Sequence, residues 1–234
     1  MDDSNRFREV ALSYGVNEHQ ITLMEDYLLR IIEANKTTNL TRIETVESGM
    51  ILHLEDSLSG LPELLEAPQG LYGDLGTGGG FPGVPLAIAS GRETMLIDSV
   101  KKKIAILVDI VSSLSIDAAI SGYDGRIEDL AREKSAQFSV LTARALSSLP
   151  SLMELASPLL IQGGYLICYK ANVGEDELTH AKALAKQLAL RVVNDREFTL
   201  SDGITHRRIL TFEKSGYPSI KLPRRVGMAQ KSPL

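Results

Sequence analysis

From Leu71 onward the chain alternates short apolar runs with longer stretches of helical spacing, and this alternation most limits the folds open to it. Parallel strands cannot be joined by tight turns; they need a crossover of about a dozen residues, which a helix supplies. Residues 71–75, 95–98, 118–121, 138–143, 165–170 and 208–212 read as strands, with 191–199 a further candidate. Between them 82–90, 100–114, 149–160 and 175–189 read as helices; the last is rich in Ala, Leu and Lys, which favour helix. The stripe Ile104, Leu107, Val108 and Val111 is expected to face a core. The architecture this implies is α/β and doubly wound: a sheet of about seven strands, mostly parallel, with helices on both faces. Residues 1–69 hold no convincing strand. Met24, Tyr27, Leu28, Ile31 and Ile32, then Val46, Met50, Leu54, Leu58 and Leu61, follow helical spacing, so an N-terminal helical layer is expected. The domain organisation expected is a helical extension over 1–69, the α/β domain over 70–214 and a basic tail over 215–234.

The segment Gly73-Asp74-Leu75-Gly76-Thr77-Gly78-Gly79-Gly80-Phe81-Pro82-Gly83 falls between the first strand and the first crossover helix. In an open α/β sheet ligands bind beyond the carboxyl ends of the strands, and glycines there let backbone N–H groups come close to a ligand. Pro82 suits the first turn of the helix that follows. Asp98 closes the second strand, where an ionised carboxylate can accept hydrogen bonds from both hydroxyls of a ribose. Gly78 to Gly83 formally matches the G-x-G-x-x-G fingerprint, so an NAD(P)-dependent oxidoreductase is one reading. Against it, Asp74 would repel a pyrophosphate, two glycines precede the matching triplet, and no second mononucleotide-binding half follows residue 170. The order Asp74-x-Gly76-x-Gly78 resembles instead the turn of methyltransferases.

The rest of the chain extends that likeness. Asn39-Leu40-Thr41, His53 with Asp56-Ser57-Leu58, the loop from Asp74 to Gly83, Asp98-Ser99-Val100 with Lys102-Lys103, Arg126-Ile127-Glu128, Ala143-Arg144-Ala145, Gly163-Gly164 with Lys170, and the closing Pro223-Arg224-Arg225 with Gly227 and Pro233-Leu234 occur in one order and spacing. Together they resemble the RsmG family, also called glucose-inhibited division protein B, which methylates a guanine N7 in 16S ribosomal RNA. The resemblance implies a Rossmann-like class I methyltransferase fold with S-adenosyl-L-methionine as cofactor. It implies cofactor contacts at Asp74, Gly76, Gly78, Phe81, Asp98, Ile127, Glu128 and Arg144, with Ile127 and Glu128 at the adenine. Arg144 and Arg207 are the residues expected at the catalytic centre. Lys102, Lys103, Lys170, Arg207, Arg224 and Arg225 are expected to face RNA. Gly79, where many relatives carry another small residue, and a longer approach to Pro223 depart from the family pattern.

Guanine N7 carries a lone pair and no hydrogen, so its methylation needs no general base. The residues agree: no nucleophile and base are recognisably paired, and His19, His53, His180 and His206 lack metal-ligand spacing, so no metal is expected. His53 and Asp56 stand three apart on a helical face and read as a local hydrogen bond supporting the helical layer. Lys101-Lys102-Lys103 opens a crossover helix, where cations oppose the helix dipole; RNA contact and a solvated charge run are both open readings. The formal charge is −5, yet residues 205–234 carry seven Lys/Arg against Glu213 alone, a local +6 on a remainder of −11. Such an end can touch phosphates locally, or it can be a solvated tail. The partner expected is 16S ribosomal RNA or the small-subunit ribonucleoprotein, and a non-catalytic RNA-binding module on the same fold is the alternative. With 5% aromatic residues and no Trp, a platform of several stacking rings is not expected, and Phe81 and Tyr123 are the few candidates. No run approaches the roughly 20 apolar residues of a membrane helix, and the charged N-terminus lacks a secretory signal. Cys168 sits alone in an apolar run and reads as a small buried hydrophobe. A cytoplasmic monomer is expected.

Overall fold

The computed structural model describes residues 3–234. Helices α1 (Asp3–Ser13) and α2 (Glu18–Asn35) open the chain, followed by α3 (Val46–Gly49), a π-helical stretch (Met50–Glu55), α4 (Asp56–Leu58) and α5 (Leu61–Glu66). The sheet follows as β1 (Leu71–Leu75), α6 (Gly83–Ser90), β2 (Thr94–Ile97), α7 (Lys101–Ser112), β3 (Ile120–Tyr123), α8 (Ile127–Glu133), β4 (Phe138–Arg144), α9 (Leu149–Ala156), β5 (Leu160–Lys170), α10 (Glu175–Ala185), β6 (Leu190–Thr199), β7 (His206–Lys214) and α11 (Met228–Lys231). Seven strands lie in the order β3-β2-β1-β4-β5-β7-β6. Six run in one direction, and β7 runs antiparallel to both its neighbours, β5 and β6. The turn before β7 explains the reversal locally: Asp202 Oδ1 accepts from the Ile204 and Thr205 amides at 3.0 and 2.8 Å, and Gly203 has φ +76°. That side-chain-closed turn makes β6 and β7 a hairpin, and the second mononucleotide-binding half of a dinucleotide fold does not form.

The periodicity reading holds for the sheet and differs at edges. The helix expected after Thr45 is interrupted by the π-helical stretch, and α1, α8 and α11 were not foreseen. Strand β5 starts five residues before the expected run, across Gly163 and Gly164, where the pairing with β4 shifts register. Alternate residues of the strands feed two apolar layers. Tyr72, Leu96, Val140, Ile167 and Ile209 pack with α2, α6 and α7, while Leu75, Ile97, Leu141, Leu166 and Phe212 pack with α8, α9 and α10. Ile104, Leu107 and Val111 are buried as expected, and Cys168 is fully buried, where burial pushes its thiol up to about 12.

The N-terminal layer shares the first of these cores: Phe7, Tyr27, Leu28, Ile31 and Leu54 are all fully buried in it. Asn17 caps α2 through a reciprocal box with Gln20, and the Gln20 amide donates to the Ile88 carbonyl at 2.8 Å, tying α2 to α6. Strand β1 pairs with β2 on one side and β4 on the other, so the chain reverses its winding there. The crevice beyond the carboxyl ends of these strands is where an open sheet binds its ligands.

Candidate active site

The loop after β1 is built on one carboxylate. Asp74 is 1% exposed and stands beside Thr142 in the β1–β4 register. Its Oδ1 accepts from the Thr142 hydroxyl at 2.7 Å; its Oδ2 accepts from the Thr77 hydroxyl at 2.6 Å and the Gly83 amide at 3.0 Å. Burial pushes this carboxyl up to about 6, against the pull of its three donors and Arg144. Asp74 therefore faces into the fold and holds the two ends of the glycine turn, instead of lining the crevice as the sequence reading placed it. Gly76, Gly78 and Gly80 have φ of +68°, +56° and +82°, which only glycine adopts without strain. A side chain at Gly80 would also run into the hydroxyl of Tyr27, which donates to the Gly79 carbonyl at 2.9 Å. The N-terminal layer thus fixes the shape of the turn.

Beyond the turn lies a cleft of about 450 Å³. Gly76, Gly78, Phe81, Asp98, Ile127, Glu128 and Arg144 all line it, which brings together the sequence-predicted cofactor contacts except Asp74. Asp98 accepts from the Gly78 and Val100 amides at 3.2 and 2.9 Å, which aims its carboxylate along the cleft. Glu128 is 7% exposed and accepts from the Gly227 amide at 2.6 Å through one carboxylate oxygen, the other having no donor among the described residues. The cleft also takes in Leu40, Arg42, His53, Arg126 and Gln230, none of which the sequence singled out as cofactor contacts.

Arg144, at the end of β4, is the centre of the site. Its guanidinium donates to the Leu52 carbonyl at 3.1 Å, to Asp56 Oδ2 at 2.8 Å and to His53 Nδ1 at 3.0 Å. Because a guanidinium only donates, His53 Nδ1 accepts, and its proton sits on Nε2, 2.7 Å from Thr41 Oγ1. Burial and the neighbouring Arg144 push His53 down to about 3, so the ring is neutral. It stacks on Phe81 with centroids 4.2 Å apart and 3° between planes. Asp56, 2% exposed, also accepts from Arg207 at 2.9 Å. The expected hydrogen bond between His53 and Asp56 is replaced by a shared arginine. The π-helical stretch that carries His53 and leads directly into Asp56 turns the Leu52 carbonyl toward Arg144, a use typical of such stretches at functional sites. Ala145, next to Arg144, has φ +55°, a strained conformation for a residue with a Cβ. His53, Arg144 and Ala145 form a wall between the cleft and a second cavity of about 550 Å³, lined also by Asp56, Lys170, Asn172 and Arg207.

The family model described as GidB, rRNA small subunit methyltransferase G, matches residues 20–202. A ribosomal RNA small subunit methyltransferase G of Desulfitobacterium hafniense (strain Y51) is 33% identical over 233 residues, 98% of this chain and 95% of that relative. One of Streptococcus suis (strain 05ZYH33) is 35% identical over 213 residues, 89% of each chain. The chain belongs to the rRNA small subunit methyltransferase G family. Its fold is shared beyond that family: a SAM-dependent methyltransferase of Methanosarcina mazei superposes with TM-score 0.54 at 15% identity, over 66% of this chain and 97% of that one. A ribosomal protein L11 methylase of Lactobacillus delbrueckii subsp. bulgaricus gives 0.53 at 13%, over 69% and 78%. This is the Rossmann-like class I methyltransferase fold.

The basic residues that resemblance to the methyltransferase G family assigned to RNA fall into two groups. Lys170 donates to Glu177 at 2.8 Å and Arg207 to Asp56; Arg224 grips Glu154, 3% exposed, with two bonds of 2.6 Å. Among the described residues Lys102, Lys103 and Arg225 form no ion pair. The C-terminal segment is folded back on the body: Ser151 donates to the Ala229 carbonyl at 2.7 Å, and Ile220, Leu222 and Leu234 pack on the second core. This strap carries Gln230 into the cleft. Such contacts span too much sequence to leave a local pattern, so no signal in the chain announced them.

Proposed function

We propose that this protein transfers a methyl group from S-adenosyl-L-methionine to N7 of a guanine in 16S ribosomal RNA of the small subunit, acting as a cytoplasmic monomer. What carries the reading is the pair of cavities that meet at one wall, one suited to a nucleoside cofactor and the other to a splayed base. The residues fit the cofactor: glycines with positive φ line a concave turn, the Asp98 carboxylate lies where ribose hydroxyls need an acceptor, and Glu128 has an oxygen free for the adenine amino group. Gly76, Gly78, Phe81, Ile127 and Arg144 complete its contacts, and Asp74 serves it indirectly by holding the turn. When bound, the cofactor supplies an electrophilic methyl on sulfonium.

The chain's own residues then have to position, since N7 has no proton to remove. Asp56 holds Arg144 and Arg207 from below, and Arg207 keeps both Nη2 hydrogens for a ligand. Arginine donates well to guanine O6, a contact that would orient the ring with N7 toward the wall. The stacked His53 and Phe81, neutral and close-packed, keep water from the line of transfer. The helical layer over 1–69, the domain over 70–214 and the tail over 215–234 act as one body in this scheme, each lending groups to the cleft. Among the described residues no helix is long and apolar enough to cross a membrane.

The test is methyl transfer from labelled S-adenosylmethionine to small subunits, and to their naked RNA, taken from cells lacking the gene, with the product mapped by chemical cleavage at N7-methylguanine. One labelled guanine is expected. Cofactor binding without transfer to either substrate would favour a non-catalytic module, and label on another atom would remove the N7 assignment.

A further inference from the structure

Three cations stand at the cleft without a partner. Arg42 comes from the loop after α2, Lys103 from the first turn of α7, and Arg126 from the residue that opens α8; all three line the cleft, and none forms an ion pair or side-chain hydrogen bond among the described residues. Arg42 and Arg126 are exposed and Lys103 is half-buried. The other charged groups of the cleft each already hold a protein partner: Arg144 has Asp56, Asp98 has two backbone amides, and Glu128 has the Gly227 amide of the strap. A cation neutralised by a carboxylate at hydrogen-bond distance has already lost its counterion, and it adds little to polyanion binding; a free one releases a counterion for each phosphate it meets.

Resting on the reading of the site as an RNA methyltransferase, we propose that the phosphates flanking the target nucleotide are held at the cleft mouth by Arg42, Lys103 and Arg126, and that Arg224 and Lys170 hold the fold. The three lie on three separate elements that converge only in the folded chain, so together they mark a path across the mouth and not one basic helix. Phosphate contacts set register and leave base identity to the groups inside the second cavity. Internal pairing helps confine RNA contact in a chain of net charge −5: of the seven Lys/Arg in residues 205–234, Arg207, Arg208 and Arg224 are spent on Asp56, Asp195 and Glu154, while the three cations of the mouth are unpaired among the described residues.

The experiment is filter binding of unmodified 16S ribosomal RNA transcript over a range of KCl, with circular dichroism confirming that each variant is folded at the assay temperature. For the Arg42→Gln, Lys103→Gln, Arg126→Gln triple variant, the slope of log affinity against log salt should become shallower by about two, and in each single variant by roughly 0.7. Arg224→Gln should leave the slope unchanged while lowering thermal stability. An unchanged slope in the triple variant, or a slope made shallower by Arg224→Gln, overturns the proposal. A triple variant that binds S-adenosylmethionine less tightly but RNA with the original slope also overturns it, assigning the cations to the cofactor. Methyl transfer by the unaltered protein, measured in parallel, judges the underlying reading separately.

Discussion

At the scale of the residue, the site depends on groups whose protonation the fold has chosen. His53 is held neutral by burial and by Arg144, so acid must break a hydrogen bond before it can charge the ring. Its folded pKa lies below the unfolded value, so its stabilisation is complete above pH 6.5 and is lost as pH falls toward 3. Asp74 has the opposite sign: raised to about 6, it stabilises the fold most when protonated, and that contribution fades as pH rises through 6. The two offset each other between pH 6 and 4, so wild-type stability should change less there than either alone would cause. Replacement isolates one of them. The destabilisation by His53→Gln should be about 2 kcal/mol smaller at pH 5 than at pH 7.5, read from urea midpoints. Asp56→Asn keeps the shape but loses the charge that aims two arginines; kcat should fall by about 100-fold with the KM for S-adenosylmethionine nearly unchanged. A parallel rise in that KM would make Asp56 a cofactor ligand's support and not a substrate aligner. Asp98→Ala should weaken cofactor binding by about 1–3 kcal/mol in calorimetry, because ribose hydroxyls lose their charged acceptor.

At the scale of the element, the glycine turn is set by a helix far away in sequence. Tyr27 of α2 donates to the Gly79 carbonyl and occupies the space that a Cβ at Gly80 would need. Tyr27→Phe should cost about 1 kcal/mol, the net worth of one hydrogen bond. Gly80→Ala should cost more, since it combines a positive φ with a collision. In the double variant part of the second loss should return, because the hydroxyl that is struck is gone; strictly additive free energies in chemical denaturation would show that the collision is not the cause. The interrupted helix after Thr45 follows the same logic. Its apolar spacing was legible, but spacing cannot show where one extra residue per turn is inserted to aim Leu52 and His53 at β4.

At the scale of the whole molecule, the C-terminal strap closes one side of the cleft. Arg224→Gln leaves Glu154 buried without its partner, which should lower stability by about 3 kcal/mol. Through Gly227 it should also loosen Glu128 and raise the cofactor dissociation constant severalfold, with both effects measured on the same preparation. A stable protein with unaltered cofactor affinity would show that the strap and cleft are independent.

The sheet, its order of helices and strands, the glycine turn and Asp98 were all legible in the chain, because periodicity and turn residues act over a few positions and record which face is apolar. The same short range explains the errors at strand ends and the unforeseen α1, α8 and α11. Whether a charge is free or spent was settled only in three dimensions. Arg144 meets Asp56 across 88 residues and Arg207 meets it across 151, and Arg224 meets Glu154 across 70. Such pairs depend on which surfaces the packed layers bring together, and packing leaves no repeat along the sequence from which a partner could be read.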